Sequence, residues 1–99
     1  MKFPIYSIRD RKSAYGMPIL DTNDDTVKRT VYYQAMRDPI MNLHPNDYDV
    51  DKIGEMELDC GELLPCQPIF IISVRDIVNE VKKEYLENER IGESENEWY

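Results

Sequence analysis

The chain is poor in the residues that build metal sites, covalent staples and phosphate loops. Of its 99 residues, two are cysteine, one is histidine and four are glycine. Structural zinc takes four Cys or His ligands at fixed spacings. Cys60, Cys66 and His44, with no CxxC pair, fall short of that set. A disulfide across a hairpin is sterically allowed for the two cysteines but nothing requires it, and a reducing compartment keeps both as thiols. Neither a glycine-rich phosphate loop nor a nucleophile elbow can be found. We therefore expect no enzymatic activity, no metal and no cofactor. Long apolar runs are missing too: Pro68–Ile72 is the most apolar stretch, against the ~20 residues a membrane-crossing helix needs. Met1-Lys2-Phe3-Pro4 has no apolar signal-peptide core behind it. The expected location is cytoplasmic, with no membrane partner.

Positive charge is the other shortage. Twelve Lys and Arg stand against twenty Asp and Glu, a net charge of −8. Taken whole, that is the wrong sign for nucleic acid, whose phosphates are contacted by Lys and Arg. The distribution alters this reading. Residues 1–48 hold seven basic and six acidic groups, whereas residues 49–99 hold five basic and fourteen acidic. An acidic second half thus follows a nearly neutral first half.

What is present suffices for one domain with a modest core, since 41% of the residues are aliphatic or aromatic. Phe3–Arg9 is rich in β-formers and reads as a first strand, with Pro4 suited to an edge or a strand start. A long connection follows, with a short extended piece at Met17–Leu20. Thr22, Asn23 and Asp24 are candidate caps for a helix that buries Val27, Val31 and Ala35, with Tyr32 and Met36 on the same side. Pro39 ends it. Met41–Asp49 reads as a turn-rich linker. From Tyr48 the pattern alternates, then slips phase near Lys52-Ile53 beside Gly54, as a β-bulge would make it. Asp59-Cys60-Gly61-Glu62 supplies a hairpin turn. Leu63–Cys66 returns as a short strand, and Pro68–Ile72 is a brief buried strand or the lead-in to a helix. Ser73 with Asp76 caps a second helix from Val74 to about Glu87, with Ile77, Val78, Val81, Tyr85 and Leu86 as its inner stripe. The predicted fold is α+β, a small antiparallel or mixed sheet with two helices in the order β-α-β-β-(β)-α. It forms a single domain over 1–87, followed by an acidic flexible tail over 88–99.

Five features bear on function. Arg9, Arg11, Lys12 and Tyr15 cluster just after a strand, and basic groups beside an aromatic are how sequence-tolerant binders hold single-stranded DNA. Lys28, Arg29 and Arg37 extend that patch if the first helix faces the same way; ordinary solvated charges are the bland alternative. Seven tyrosines against two phenylalanines point to surfaces with one wet side. Tyr6 and Tyr15 are the better stacking candidates, although core packing is the expected place for any single tyrosine, and of Tyr32 and Tyr33 only one can be core. His44, between turn-formers, has a local structural job. The carboxylates Asp49, Asp51, Glu55, Glu57, Asp59 and Glu62 alternate at strand spacing, so they are expected on one solvated face that repels phosphate. Trp98 and Tyr99 close an acidic stretch that loosely resembles the C-terminal tips of bacterial and phage single-strand DNA-binding proteins, which makes them candidate partner-binding residues; a solubilising disordered end is the equal alternative.

Three short stretches carry a family resemblance. The first is Ile5-Tyr6-Ser7-Ile8-Arg9-Asp10-Arg11-Lys12, with Tyr15 and Pro18 behind it. Asp38-Pro39 and then His44-Pro45-Asn46-Asp47-Tyr48 form the second. The third is Ile53-Gly54, then Asp59-Cys60-Gly61 at a turn and a proline before the last element. In order and spacing they resemble the non-structural proteins of gokushoviruses, a branch of the Microviridae, over about residues 3–78. Cys60-Gly61 stands where that family commonly has Thr-Gly, which leaves the turn intact. The resemblance implies a phage protein of late infection, serving viral strand synthesis or DNA packaging in the cytoplasm of an infected bacterium, and it supplies no catalytic residues. The expected partners are viral single-stranded DNA and phage or host replication and packaging proteins, with a homo-oligomer plausible for so small a chain. The rival from another class is a protein-interaction adaptor that touches no DNA and works through its acidic surface and C-terminal aromatics.

Overall fold

The computed structural model describes residues 1–96, with side chains through Glu87 apart from Tyr85. Three long strands, β1 (Lys2–Asp10), β3 (Tyr48–Glu57) and β4 (Glu62–Ser73), and a two-residue strand β2 (Ile19–Leu20) form one sheet in the order β2-β1-β3-β4. Every neighbouring pair is antiparallel. Helices α1 (Asp24–Arg37) and α3 (Val74–Asn96) cover one face of it. The fold is α+β.

α1 starts where its first turn is satisfied. Asn23, of the three candidates, is the cap: its side chain accepts from the Thr26 N–H at 3.0 Å, and the Thr26 hydroxyl accepts from the Asn23 N–H at 3.1 Å. Asp24 and Asp25 sit at the positive end of the helix dipole. Val27, Val31 and Ala35, four residues apart, are buried. Tyr32 is half-buried against the same core while Tyr33 is exposed.

The expected linker after α1 is structured instead. Pro39 does end α1, but it also opens a short helix, α2 (Pro39–Leu43). Its missing N–H costs nothing at a first helical position, and the Asp38 side chain caps the new helix through the Ile40 and Met41 N–H groups at 3.0 and 3.3 Å. Met41 is buried. A 3-10 turn, Pro45–Asp47, then feeds β3.

The phase slip in β3 is a bulge. Ile5 pairs with Gly54 and Tyr6 with Lys52, so Ile53 has no partner on β1. Against β4 the same point opposes three residues, 66–68, to one. The chain reverses at 58–61, where Gly61 takes φ +76° and its N–H bonds the Glu57 carbonyl at 2.7 Å. β4 then runs as one twelve-residue strand rather than two pieces. Of the two readings of Pro68–Ile72, the segment is strand and leads directly into α3, but it is not a buried strand. Ile69 and Phe70 are 52% and 60% exposed, because β4 is the sheet edge, and only Ile72, with Ile71 packed partly against it, meets the core.

The core joins Tyr6, Ile8, Val50 and Ile72 from the sheet to Val27, Val31 and Ala35 of α1, Met41 of α2, and Val74, Ile77 and Val78 of α3. Ser73 caps α3, accepting from the Asp76 N–H at 3.2 Å. Leu86, expected in the inner stripe, is 55% exposed. The helix continues to Asn96 rather than ending near Glu87. Extending a formed helix adds one hydrogen bond per residue fixed, and a single Gly92 costs only about 1 kcal/mol.

Candidate nucleic-acid interface

The segment between β1 and β2 runs back along the outer edge of β1 and sends the Arg11 and Tyr15 side chains over the sheet face turned away from the helices. The Gly16 N–H bonds the Ile8 carbonyl at 2.8 Å, and the Ser7 hydroxyl donates to the Gly16 carbonyl at 2.9 Å. Arg9 and Tyr15 form an isolated bridge. Strand alternation puts Ser7 and Arg9 on this far face once Tyr6 and Ile8 point to the helices. Their cross-strand partners Asp51 and Asp49 share it.

The loop's charges are largely spent on those partners. Arg11 grips Asp49 with two bonds, Nε to Oδ2 at 2.8 Å and Nη2 to Oδ1 at 2.6 Å. Lys12 Nζ lies 3.5 Å from Asp47 Oδ2. The Tyr15 hydroxyl donates to Asp51 Oδ2 at 2.6 Å, and that bond, with burial, holds its pKa above the usual tyrosine value. Hydrogen bonding to Asp49 likewise raises Arg11. Among the described residues Arg9 stands in no ion pair; its guanidinium sits over the Tyr15 ring, 5.8 Å from the centroid, in cation–π range. Phe70, 60% exposed, pairs across β3–β4 with Asp51 and so joins the same face.

Several site expectations change. Asp49 and Asp51 are not a solvated phosphate-repelling surface but buried anchors for the basic loop, at 7% and 5% exposure. The bulge at Ile53 separates them from Glu55 and Glu57, which fall on the opposite face. Of the two readings of Tyr6, core packing holds and stacking does not: it is fully buried and donates to Asp24 Oδ1 at 2.5 Å. Burial first, and that bond second, push its hydroxyl far up. Lys28 and Arg29 do not extend the patch. They line a cleft between α1 and α3, on the other side of the sheet, with Asp25, Glu80 and Glu84. Lys28 Nζ lies 3.9 Å from Glu80. Arg37 is exposed in the last turn of α1, in that same helical layer. Trp98 and Tyr99 lie outside the described residues.

His44 takes the local role expected of it, its carbonyl accepting the Asp47 N–H at 3.0 Å. Cys60 and Cys66 are exposed free thiols. Among the described residues no group of three His, Cys, Asp or Glu could hold a metal ion, and no helix is long and apolar enough to cross a membrane. Phe70 is the surface aromatic that sequence reasoning missed. Its apolar neighbours hid it, and only the edge position of β4 exposes it.

The resemblance in the sequence has a counterpart in comparison with known families. The family model of the Phage ORF5 protein matches residues 3–77. The chain belongs to that family. It is accordingly a phage protein, and the matched span runs from β1 to the first turn of α3, so the loop, its acidic anchors and Phe70 all fall inside the part shared with Phage ORF5 proteins. Comparisons with curated proteins and with solved structures give no match.

Proposed function

We propose that this phage accessory protein is a non-enzymatic one of gokushovirus type, which holds viral single-stranded DNA in the cytoplasm of the infected bacterium during strand synthesis or packaging. The supporting observation is the Arg9–Tyr15 stack beside the exposed Phe70 on one sheet face. Flat aromatic faces accept any base, and an arginine held over a ring can reach a phosphate. Because Arg11 and Lys12 are engaged by Asp49 and Asp47, stacking rather than charge carries the binding.

Fluorescence anisotropy with labelled single- and double-stranded oligonucleotides across a salt series tests this. Single strands should bind weakly and better than duplex. One or two phosphate contacts give a log–log salt slope of only about −0.7 to −1.4. Arg9→Ala should flatten the slope, and Phe70→Ala should cost about 1–3 kcal/mol with the slope unchanged. No binding at low salt, from either the full chain or one lacking residues 88–99, would sink the reading.

One observation favours the adaptor alternative, a protein that contacts phage or host proteins and no DNA: most of the basic loop is already neutralised by its own acids. That reading predicts no response to oligonucleotides of either kind in the same titration.

A further inference from the structure

The sheet has two apolar sides, one above the bulge and one below it. Above, Tyr6, Ile8, Val50 and Ile72 face the helices. Below, Phe3 and Ile5 lie on the opposite face, one strand position out of phase with Tyr6. Their partners Met56 and Gly54 share that face, and Leu63 and Pro65 follow on β4. The charged residues of the same strand segments, Lys2, Glu55, Glu57 and Glu62, fall on the helix side. On β3 this is the alternation of a sheet that buries one face, although Pro4 and Leu64 also fall on the helix side. The rim of the lower patch is open, Leu63 being 65% and Leu20 45% exposed, while Phe3, Ile5 and Met56 are half-buried and Pro18 of the β1–β2 segment borders the patch. Ile5, Pro18, Ile53, Leu63 and Pro65 surround an apolar hollow of about 330 Å³.

We propose that this face is the interface of a homodimer, two copies packed sheet to sheet about a two-fold axis. Two arguments choose a second copy as the occupant. The first is charge. The molecule carries −8, yet this patch has no charged side chain, so two copies can meet here without opposing their carboxylates. A nucleic acid finds no cation here. The second is shape. Each copy offers one hollow and, on its rim, one protruding Leu63, which a two-fold axis can exchange. The patch is small: three strands about 4.8 Å apart and four to five residues long, with Leu20 of the two-residue β2 at one edge, span roughly 15 by 17 Å, or about 250 Å² per copy before side-chain relief. Two such faces bury less than the ~1,000 Å² total of a stable specific interface, so the dimer is weak and concentration-dependent.

Sedimentation equilibrium of the full chain from low micromolar to high micromolar concentration tests the proposal. The expected mass rises from 11.7 kDa toward twice that value. Leu63→Glu should weaken association at least about tenfold with an unchanged far-ultraviolet circular dichroism spectrum, because Leu63 lies outside the core. Leu43→Glu, at an equally exposed position on α2, should dimerise as the parent does. A single-chain mass at every concentration would overturn the proposal, and so would a dimer that Leu63→Glu leaves intact. DNA binding does not enter this measurement, and Arg9→Ala should leave the mass unchanged, so the two readings stand or fall separately.

Discussion

Asp49 and Asp51 show how a carboxylate's role depends on what lies opposite it. Both are nearly buried, and such groups must be paired. Arg11 and the Tyr15 hydroxyl supply the pairing and so fasten the loop to the sheet. Arg11→Ala leaves a buried carboxylate alone and should lower the melting temperature more than Lys12→Ala, whose longer contact is with the more exposed Asp47. The tyrosines give a pH signature. Tyr6, Tyr15 and Tyr48 all have pKa values raised above 10, chiefly by burial for Tyr6 and Tyr48 and by the Asp51 hydrogen bond for Tyr15. A raised folded-state value means stability that is fully present below pH 10 and lost as pH climbs through the folded pKa. An ultraviolet titration should therefore show a late-ionising subset accompanied by loss of thermal stability, with a smaller alkaline loss in Tyr15→Phe. All seven tyrosines ionising together near pH 10 would contradict this.

At the level of elements, the bulge at Ile53 depends on Gly54. A β-carbon there would lie 2.7 Å from the Leu64 carbonyl oxygen and 3.3 Å from the Pro65 α-carbon, both backbone atoms. Gly54→Ala should cost about 1–3 kcal/mol in urea denaturation. Gly16→Ala, whose nearest contact is an ordinary 3.4 Å, should be tolerated by comparison; equal effects would show the bulge to be deformable. This bulge was legible in the sequence because alternation breaks beside a glycine. α1, its Asn23 cap, the Gly61 turn and the Ser73 cap were legible for similar local reasons. α2 was not read, since a proline that ends one helix looks the same as one that begins the next. The acidic alternation was misassigned because its face was counted straight through the slip at Ile53. The exposure of Phe70 depends on strand order, which no local pattern reports, and so does the pairing of Arg11 with Asp49, 38 residues away.

At the scale of the whole molecule, strand order divides the chain unequally. β1 lies between β2 and β3, and its only long partner begins at Tyr48. Residues 1–47 therefore contain a central strand with almost nothing to pair with. Expressed alone, they should show little strand signal in circular dichroism; a folded fragment would overturn this. During synthesis the order of appearance has a charge consequence. Arg9, Arg11 and Lys12 are made long before Asp47, Asp49 and Asp51, so the nascent first half presents its basic loop unpaired. Only when β3 is made and docks beside β1 are Arg11 and Lys12 neutralised. The growing chain, nearly neutral over its first half, thus offers these cations more freely than the finished protein, whose net charge is −8.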